Sequence, residues 1–372
     1  MDFQLNEDQR MMQDSARDFI KTEARSDLIT GWYEKKIAHR PELYAKAAKL
    51  GWLGMTVPSA YGGAEMPTFD ASVVFEELGR APMPGPFFSS GVLAAEILLA
   101  GASDAHKQRL LPAICDGSAI VVPALADSAR HFGPASVETK ARRSGPGYVL
   151  DGVKRYVQDA EAGTAFICAA RTDDGKIVLA LVDRDAPGVS VKPVQGFMIG
   201  AAEVSLQGVQ IGADALLGDW SAVEAALTRS LPLLSAYIVG AVAQISEMTN
   251  DYTSERVVYG QPIGRYQRVQ DNCVEILNHL DAARWLTWET LWKLDTGRDA
   301  RAAARQCKAV ASEAYYQSCN QSHMVFAGPG TDYRHPLMAH SVLAHALYQY
   351  LGSPLHHKRA MMDILYPRNT AA

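Results

Sequence analysis

Residues 255–270 read ERVVYGQPIGRYQRVQ and lie between two long segments whose apolar residues recur with a helical period. Tyr259-Gly260 and Pro262 stop the first segment. Glycine and proline are poor helix formers, and the residue before a proline avoids the α region. The apolar period resumes after Arg265. Arg256, Tyr259 and Gln267 are gathered in this break. A guanidinium fork suits a phosphate or pyrophosphate; an amide and an aromatic face suit a nucleotide base or flavin ring.

Outward from this break, bulk properties set the bounds. A chain of 372 residues is long enough for two or three domains around a sizeable core. Its hydrophobic share of 48% and charged share of 21% are those of an ordinary soluble protein. A net charge of -5 leaves no basic footprint for nucleic acid. Cys115, Cys168, Cys273, Cys307 and Cys319 are scattered without a C-x-x-C pair, so they read as buried free thiols in a reducing compartment. The charged, amphipathic N-terminus lacks the apolar core of a signal peptide, and the expected location is cytoplasmic. The most apolar run, 231–245, is interrupted by Ser235, Tyr237 and Gly240. It is too short to span a bilayer and reads as a buried helix, so no membrane span is expected.

The texture changes twice along the chain. Residues 1–118 read as helices punctuated by the glycine-rich loop GWLGMTVPSAYGG (51–63), with Gly79 expected as the C-cap of a helix over 68–79. Residues 119–219 carry short β-rich runs. There TDDGK (172–176) predicts a hairpin with a type I′ turn, and GYVLDGVKRYV (147–157) reads as two strands around a second Asp-Gly. This segment is expected to be a compact antiparallel β domain. Residues 220–372 return to long helical patterns, near 221–256, 265–296, 299–326 and 337–352, joined by short connections, which implies a four-helix bundle. Trp285, Trp288 and Trp292 read as core or interface aromatics. His335, His340 and His345 recur every five residues, about 500° per step on a helix, so they share no face and no metal site is expected. His356-His357-Lys358-Arg359 reads as a solvated or phosphate-facing end.

The 255–270 stretch resembles the R-x-x-[FY]-G-x-P-I-x-x-[FY]-Q-x-V-Q signature of the acyl-CoA dehydrogenase flavoprotein family, through Arg256, Tyr259, Gly260, Pro262, Ile263, Tyr266, Gln267, Val269 and Gln270. The loop 51–63, EELGR (76–80) and the exit VQIGADALLGD (209–219) follow the same family in order, so the resemblance covers nearly the whole chain. It implies a mainly α fold with a central β domain: an N-terminal helical domain, an antiparallel β domain and a C-terminal four-helix bundle. It implies FAD as cofactor, an acyl-CoA thioester as substrate, an electron acceptor such as an electron-transfer flavoprotein, and an oligomer in which Arg256 and Tyr259 reach a neighbouring subunit's FAD. The reaction would be α,β-desaturation, with a buried glutamate taking the α-proton.

This sequence departs from the family at the positions that carry chemistry. The usual glutamate of a Y-E-G-T-like turn is Leu351, and the alternative position on the first helix of the C-terminal bundle falls near Ser230 or Leu231. No catalytic base is assigned; Asp332 and Arg334, near the family's active-site loop, are the unconventional candidates. The glycine segment that cradles the ADP part of FAD is 324–330 here, keeping Gly328 and Gly330 without its glutamine and histidine. The usual flavin-ring threonine is Gln158, and the loop that meets flavin and substrate, PALADSARHFGPAS (123–136), is much altered. Losses at the site on a retained scaffold resemble the degenerate partner subunit of bacterial heteromeric acyl-CoA dehydrogenases, such as those degrading sterol and bile-acid side chains. The alternatives are a non-catalytic scaffold subunit that completes a homologue's FAD site, or a flavin enzyme of the same fold with other chemistry.

Overall fold

The computed structural model describes residues 4–128 and 131–367. The chain divides into two compact units, each assembled from separate stretches of sequence. The first takes residues 1–35, 67–83 and 231–372; the second takes 36–66 and 84–230.

The first unit is helical. It contains α1 Glu7–Glu23, α2 Ser26–Glu34 and, after α3 Pro41–Lys49 of the second unit, α4 Thr68–Arg80. The start of α1 follows a local rule: Asn6 accepts from the Gln9 backbone and Gln9 reaches back, a capping box. The start of α4 does not, because no side chain at its own N-cap bonds the helix. Asp295 supplies the missing acceptor from 227 residues away, taking hydrogen bonds from Thr68 N (2.8 Å), Thr68 Oγ1 (2.6 Å) and Phe69 N (2.9 Å). Gly79, expected as a C-cap, lies inside α4, and Ala81 is the cap. What demands a glycine there is packing: an added Cβ would fall 1.7 Å from the Tyr237 carbonyl oxygen.

In the second unit, α5 Ala95–Gly101 and α6 Asp104–Cys115 precede an eight-stranded sheet. The strands are β1 Val121–Ala124, β2 Lys140–Ser144, β3 Gly147–Val157, β4 Ala165–Thr172, β5 Ile177–Asp183, β6 Val189–Pro193, β7 Ala202–Ile211 and β8 Leu216–Gly218. Along β6-β7-β3-β2-β4-β5-β8 most pairs are antiparallel, but β2 runs parallel to β4, and β1 also pairs in parallel with β4. The sheet is therefore mixed rather than antiparallel. β4 carries partners along both edges, and its residues 165–170 are all buried, which explains its unbroken apolar run.

Two turn readings change. Residues 147–157 form one strand with a bulge after Leu150, where Gly152 takes φ 159°, not two strands around a turn. At 172–176 only Gly175 takes a positive φ (82°), and Thr172 N donates to Lys176 O. The loop is thus a three-residue turn ending in a left-handed glycine rather than type I′. β2 escapes a hydropathy reading because KARRS buries only Ala141.

α7 Trp220–Glu255 starts in the second unit and from residue 231 belongs to the first. By length and composition this 36-residue helix could cross a membrane, so the length argument made from 231–245 fails. Burial decides instead: 78% of its most apolar window is inside the protein, as for a core helix. The short hairpin β9 Val257–Val258 and β10 Gln261–Pro262 follows, then α8 Gln267–Asp295, α9 Arg301–Phe326, α10 Pro336–Gln349 and α11 Pro354–Leu365. Alanine and serine on α9 (Ala304, Ala311, Ser312, Ser318) are buried, which lets neighbouring helices approach closely. α11 lies outside the expected bundle. Of 356–359, His357 is fully buried with Nδ1 3.5 Å from Arg305, whereas Lys358 and Arg359 are exposed, Lys358 bonding Glu313 at 2.7 Å.

Candidate functional site

The hairpin after α7 is built by its own sequence. Tyr259 (φ 50°) and Gly260 (φ 78°) occupy the two central positions of a tight turn, both left-handed, with Gln261 paired to Val258 and Pro262 to Val257. This is the type I′ geometry. Tyr266 Oη donates to Val258 O (2.9 Å) and Ile263 N to Arg256 O (2.8 Å), so the turn is tied at its base. Tyr259 projects from the tip 95% exposed, and Arg256 and Gln267 are exposed beside it. A rigid turn thus presents an aromatic ring, a guanidinium and an amide to solvent.

The second contributor to this end of the bundle is the turn after α9. Tyr252, one turn before Arg256, stacks on Phe326 with ring centroids 4.4 Å apart. That contact brings Arg256 and the 327–331 turn to the same end of the helical unit. Gly328 is exposed with nothing within 4 Å of a built Cβ, and Gly330 is buried against Phe326. Between helix and turn, Ala327 sits at φ 52°, ψ -128°, a region a side-chain-bearing residue rarely adopts. Ala327→Gly is expected to stabilise the chain by about 1 kcal/mol, the relief of strain exceeding the added freedom of the unfolded chain. A rise in the urea midpoint at unchanged slope checks it; a fall overturns the strain reading.

Asp332 and Arg334 are both exposed and pair with each other, Arg334 Nη2 lying 2.8 Å from Asp332 Oδ2. The arginine's hydrogen bonds hold the Asp332 carboxyl down at about 2. An exposed acid held that low is a turn-forming ion pair, not a proton acceptor near neutral pH, so the geometry does not support Asp332 as the base. Leu351 is buried in a left-handed conformation (φ 59°) between α10 and α11, an apolar side chain in the expected acid's place. Ser230 and Leu231 are fully buried on α7 and add no carboxylate. His335 accepts from Leu337 N, His340 meets Tyr315 Oη at 3.0 Å, and His345 meets Ser341 O; they do not converge, and no metal-ligand cluster exists among the described residues.

In the second unit, Gln158 follows β3, where the bulge between Lys154 and Val157 leaves Tyr156 half-exposed at φ 51°. Its Nε2 donates to Asp159 Oδ1 (3.0 Å) and to Ile199 O (3.3 Å), while its Oε1 is buried without a hydrogen-bond partner. Asp159 itself is buried and accepts from Ser89 Oγ at 2.6 Å, and burial pushes its carboxyl up to about 6. Deeper in the same unit lies Lys154, 0% exposed, with Nζ 2.9 Å from Asp127 Oδ1. Burial pushes the Lys154 ammonium down while Asp127 opposes the shift. Sequence reasoning passed over Asp127, Lys154 and Asp159. A lysine inside an otherwise apolar-alternating strand was the available signal.

Within the helical unit, the exposed guanidinium, the phenol and the open glycine turn have the chemistry that suits the charged and aromatic parts of an FAD.

Models of the acyl-CoA dehydrogenase N-terminal, middle and C-terminal domains match residues 6–118, 124–209 and 220–354. The acyl-CoA dehydrogenase FadE12 of Mycobacterium tuberculosis is 28% identical over 313 residues, 80% of each chain. Among solved structures, the ChsE4–ChsE5 complex from Mycobacterium tuberculosis superposes with a TM-score of 0.89 at 21% identity, over 98% of this chain and 99% of that one. A structure of PigA with FAD and proline superposes equally well (0.89) at 23% identity, with the same coverage. At these identities the structural likeness shows the fold.

Proposed function

Because the chain belongs to the acyl-CoA dehydrogenase family, whose cofactor is FAD, we propose that it is one subunit of a heteromeric acyl-CoA dehydrogenase. Leu351 carries this reading: a buried leucine stands where an acid is required, and no carboxylate replaces it from Ser230 or Leu231. The α-proton of the thioester would then be taken by a homologous chain. When bound, FAD supplies the acceptor for the β-hydrogen and its electron pair.

This chain's share is binding and orientation. Arg256 presents a fork to a pyrophosphate, Tyr259 a flat face to the adenine or ring system, and the Gly328 turn a bare backbone to a phosphate. The tied hairpin fixes the backbone that carries Arg256 and Tyr259, which lowers the ordering cost of binding. Gln158 contributes an amide from the β unit. Leu351 keeps the turn dry and apolar without moving a proton. The cytoplasmic location, an acyl-CoA substrate and an electron-transfer flavoprotein as acceptor belong to the same proposal. The two-chain ChsE4–ChsE5 complex supports the heteromeric reading by analogy.

The visible spectrum tests it. Expressed alone, the chain is expected to be colourless or weakly loaded. Co-expressed with a homologue that retains the glutamate, it should yield a flavin-loaded, active complex, and Arg256→Ala in this chain should lower the flavin content severalfold. Stoichiometric flavin and dehydrogenation by the chain alone would overturn the heteromeric reading. A loaded complex whose turnover ignores every substitution in this chain's site would make it a scaffold. Turnover without desaturated product would indicate other flavin chemistry.

A further inference from the structure

The helical unit holds a cleft of about 830 Å³, the volume of a small-molecule site. It opens between the end of α1, the start of α2, the end of α4 and the last turns of α7, and α10 lines it with Ala339 and His340. Arg256, Tyr259, Gln267, Gly328 and Leu351 do not line it, so it is separate from the flavin turn. Its surface is mainly apolar. Ile20, Ile29 and Met248 supply aliphatic wall, and Phe326, stacked on Tyr252 at 4.4 Å, supplies an aromatic one.

The charges around the cleft nearly cancel, with four basic and three acidic residues in its lining. The buried acid, Glu77, is already engaged by Arg17 at 3.1 Å and Arg80 at 3.5 Å. Lys21, Arg25, Asp251 and Glu255 are exposed and stand at the rim. An ion entering the deep part would lose its hydration and find no uncommitted counter-charge, so the cleft suits an uncharged occupant.

One polar group in the lining is left unmet. His340 is 0% exposed, and its Nε2 has no hydrogen-bond partner. Its Nδ1 lies 3.0 Å from Tyr315 Oη, the one hydrogen bond that this fully buried tyrosine makes among the described residues. If the ring donated to the hydroxyl, two groups would go unmet, the hydroxyl hydrogen and the Nε2 lone pair. If the hydroxyl donates to Nδ1, only the Nε2–H does. The second arrangement costs less, and it makes Nε2 a donor. Burial pushes the ring down to about 3, so it is neutral at pH 7 and carries one hydrogen.

We propose that this cleft binds an uncharged, largely apolar small molecule whose buried end carries a hydrogen-bond-accepting oxygen, such as a ketone carbonyl, and that His340, held by Tyr315, donates Nε2–H to it. The apolar and aromatic walls supply affinity, and the single donor sets which end enters first. A hydrocarbon of the same shape would leave the donor unmet.

The test is calorimetric titration of the full chain, with its homologous partner where the two purify together. The probes are 2-acetylnaphthalene and 2-isopropenylnaphthalene, which share a flat body and differ in C=O against C=CH2. The parent should bind the ketone about tenfold more tightly than the alkene, the scale of one buried hydrogen bond. His340→Leu should bind the two alike. Met248→Trp fills the apolar wall from a half-buried position and should weaken both probes at least tenfold. The comparison of probes on the parent needs no variant, so a His340→Leu chain that fails to fold leaves the test intact. Equal affinities on the parent, a ketone preference that survives His340→Leu, affinities indifferent to Met248→Trp, or no binding of the ketone at all would each overturn the proposal. None of these results bears on the flavin turn, which shares no residue with the cleft.

Discussion

Asp127→Ala is expected to cost about 3–5 kcal/mol, a large part of the whole stability of a typical domain. Lys154 lies 0% exposed on β3, and Asp127 is its charged partner at 2.9 Å. The same carboxylate accepts from Glu138 N (2.7 Å), Thr139 N (3.1 Å) and Thr139 Oγ1 (2.6 Å), tying residues 138 and 139 to the Lys154 pair on β3. Removing it strands an ammonium in the interior and orphans three donors. The pair itself need not be stabilising, because desolvating two charges offsets their attraction. Asp127→Leu combined with Lys154→Met should therefore recover the part of the loss that comes from the stranded ammonium, while the three orphaned donors keep the rest. Urea unfolding of both variants checks this. A single-mutant loss below about 1 kcal/mol would show that the lysine reaches water or neutralises without strain.

Gly240→Ala and Gly79→Ala are expected to be the most damaging small substitutions in the helical unit, each costing about 3 kcal/mol or more. A Cβ at Gly240 would lie 1.8 Å from the Glu76 carbonyl oxygen, and one at Gly79 would lie 1.7 Å from that of Tyr237. The two glycines sit against each other's helix, so α4 and α7 touch backbone to backbone. A methyl group there meets main chain, which cannot rotate away, and the helices must separate along their shared face. Gly31→Ala is the control: Gly31 lies in α2, has nothing within 4 Å of a built Cβ, and should be neutral or gain up to about 1 kcal/mol from helix propensity. Thermal unfolding ranks the three. If Gly240→Ala melts with Gly31→Ala, the close crossing of α4 and α7 is refuted.

Much of the fold was legible because its signals are local. Gly260 and Pro262 ended α7 where expected, and long apolar periods marked α7, α8, α9 and α10 to within a few residues. The helical, β and helical textures and the family signature around Arg256 were visible for the same reason. Some of the misreadings involve partners distant in sequence, and others turn on local geometry. KARRS carries three charges and still pairs with two strands, because its neighbours supply the apolar face it lacks. Gly79 has the place of a C-cap and the role of a spacer, which only Tyr237 reveals. Asp332 looked available as an acid until Arg334 was found two residues away holding it ionised.

The sequence by itself determined the succession of elements, the family, and the leucine at residue 351 where the family signature leads one to expect an acid, since each depends on residue type and spacing alone. Tertiary structure decided which polar groups are buried and with whom: Lys154 with Asp127, Gln158 with Asp159 and Ile199, α4 capped by Asp295. The physical reason is that desolvation depends on everything packed around a group. Propensity and periodicity act over a few residues, whereas the environment of a buried amide or ammonium is assembled from segments tens or hundreds of positions apart.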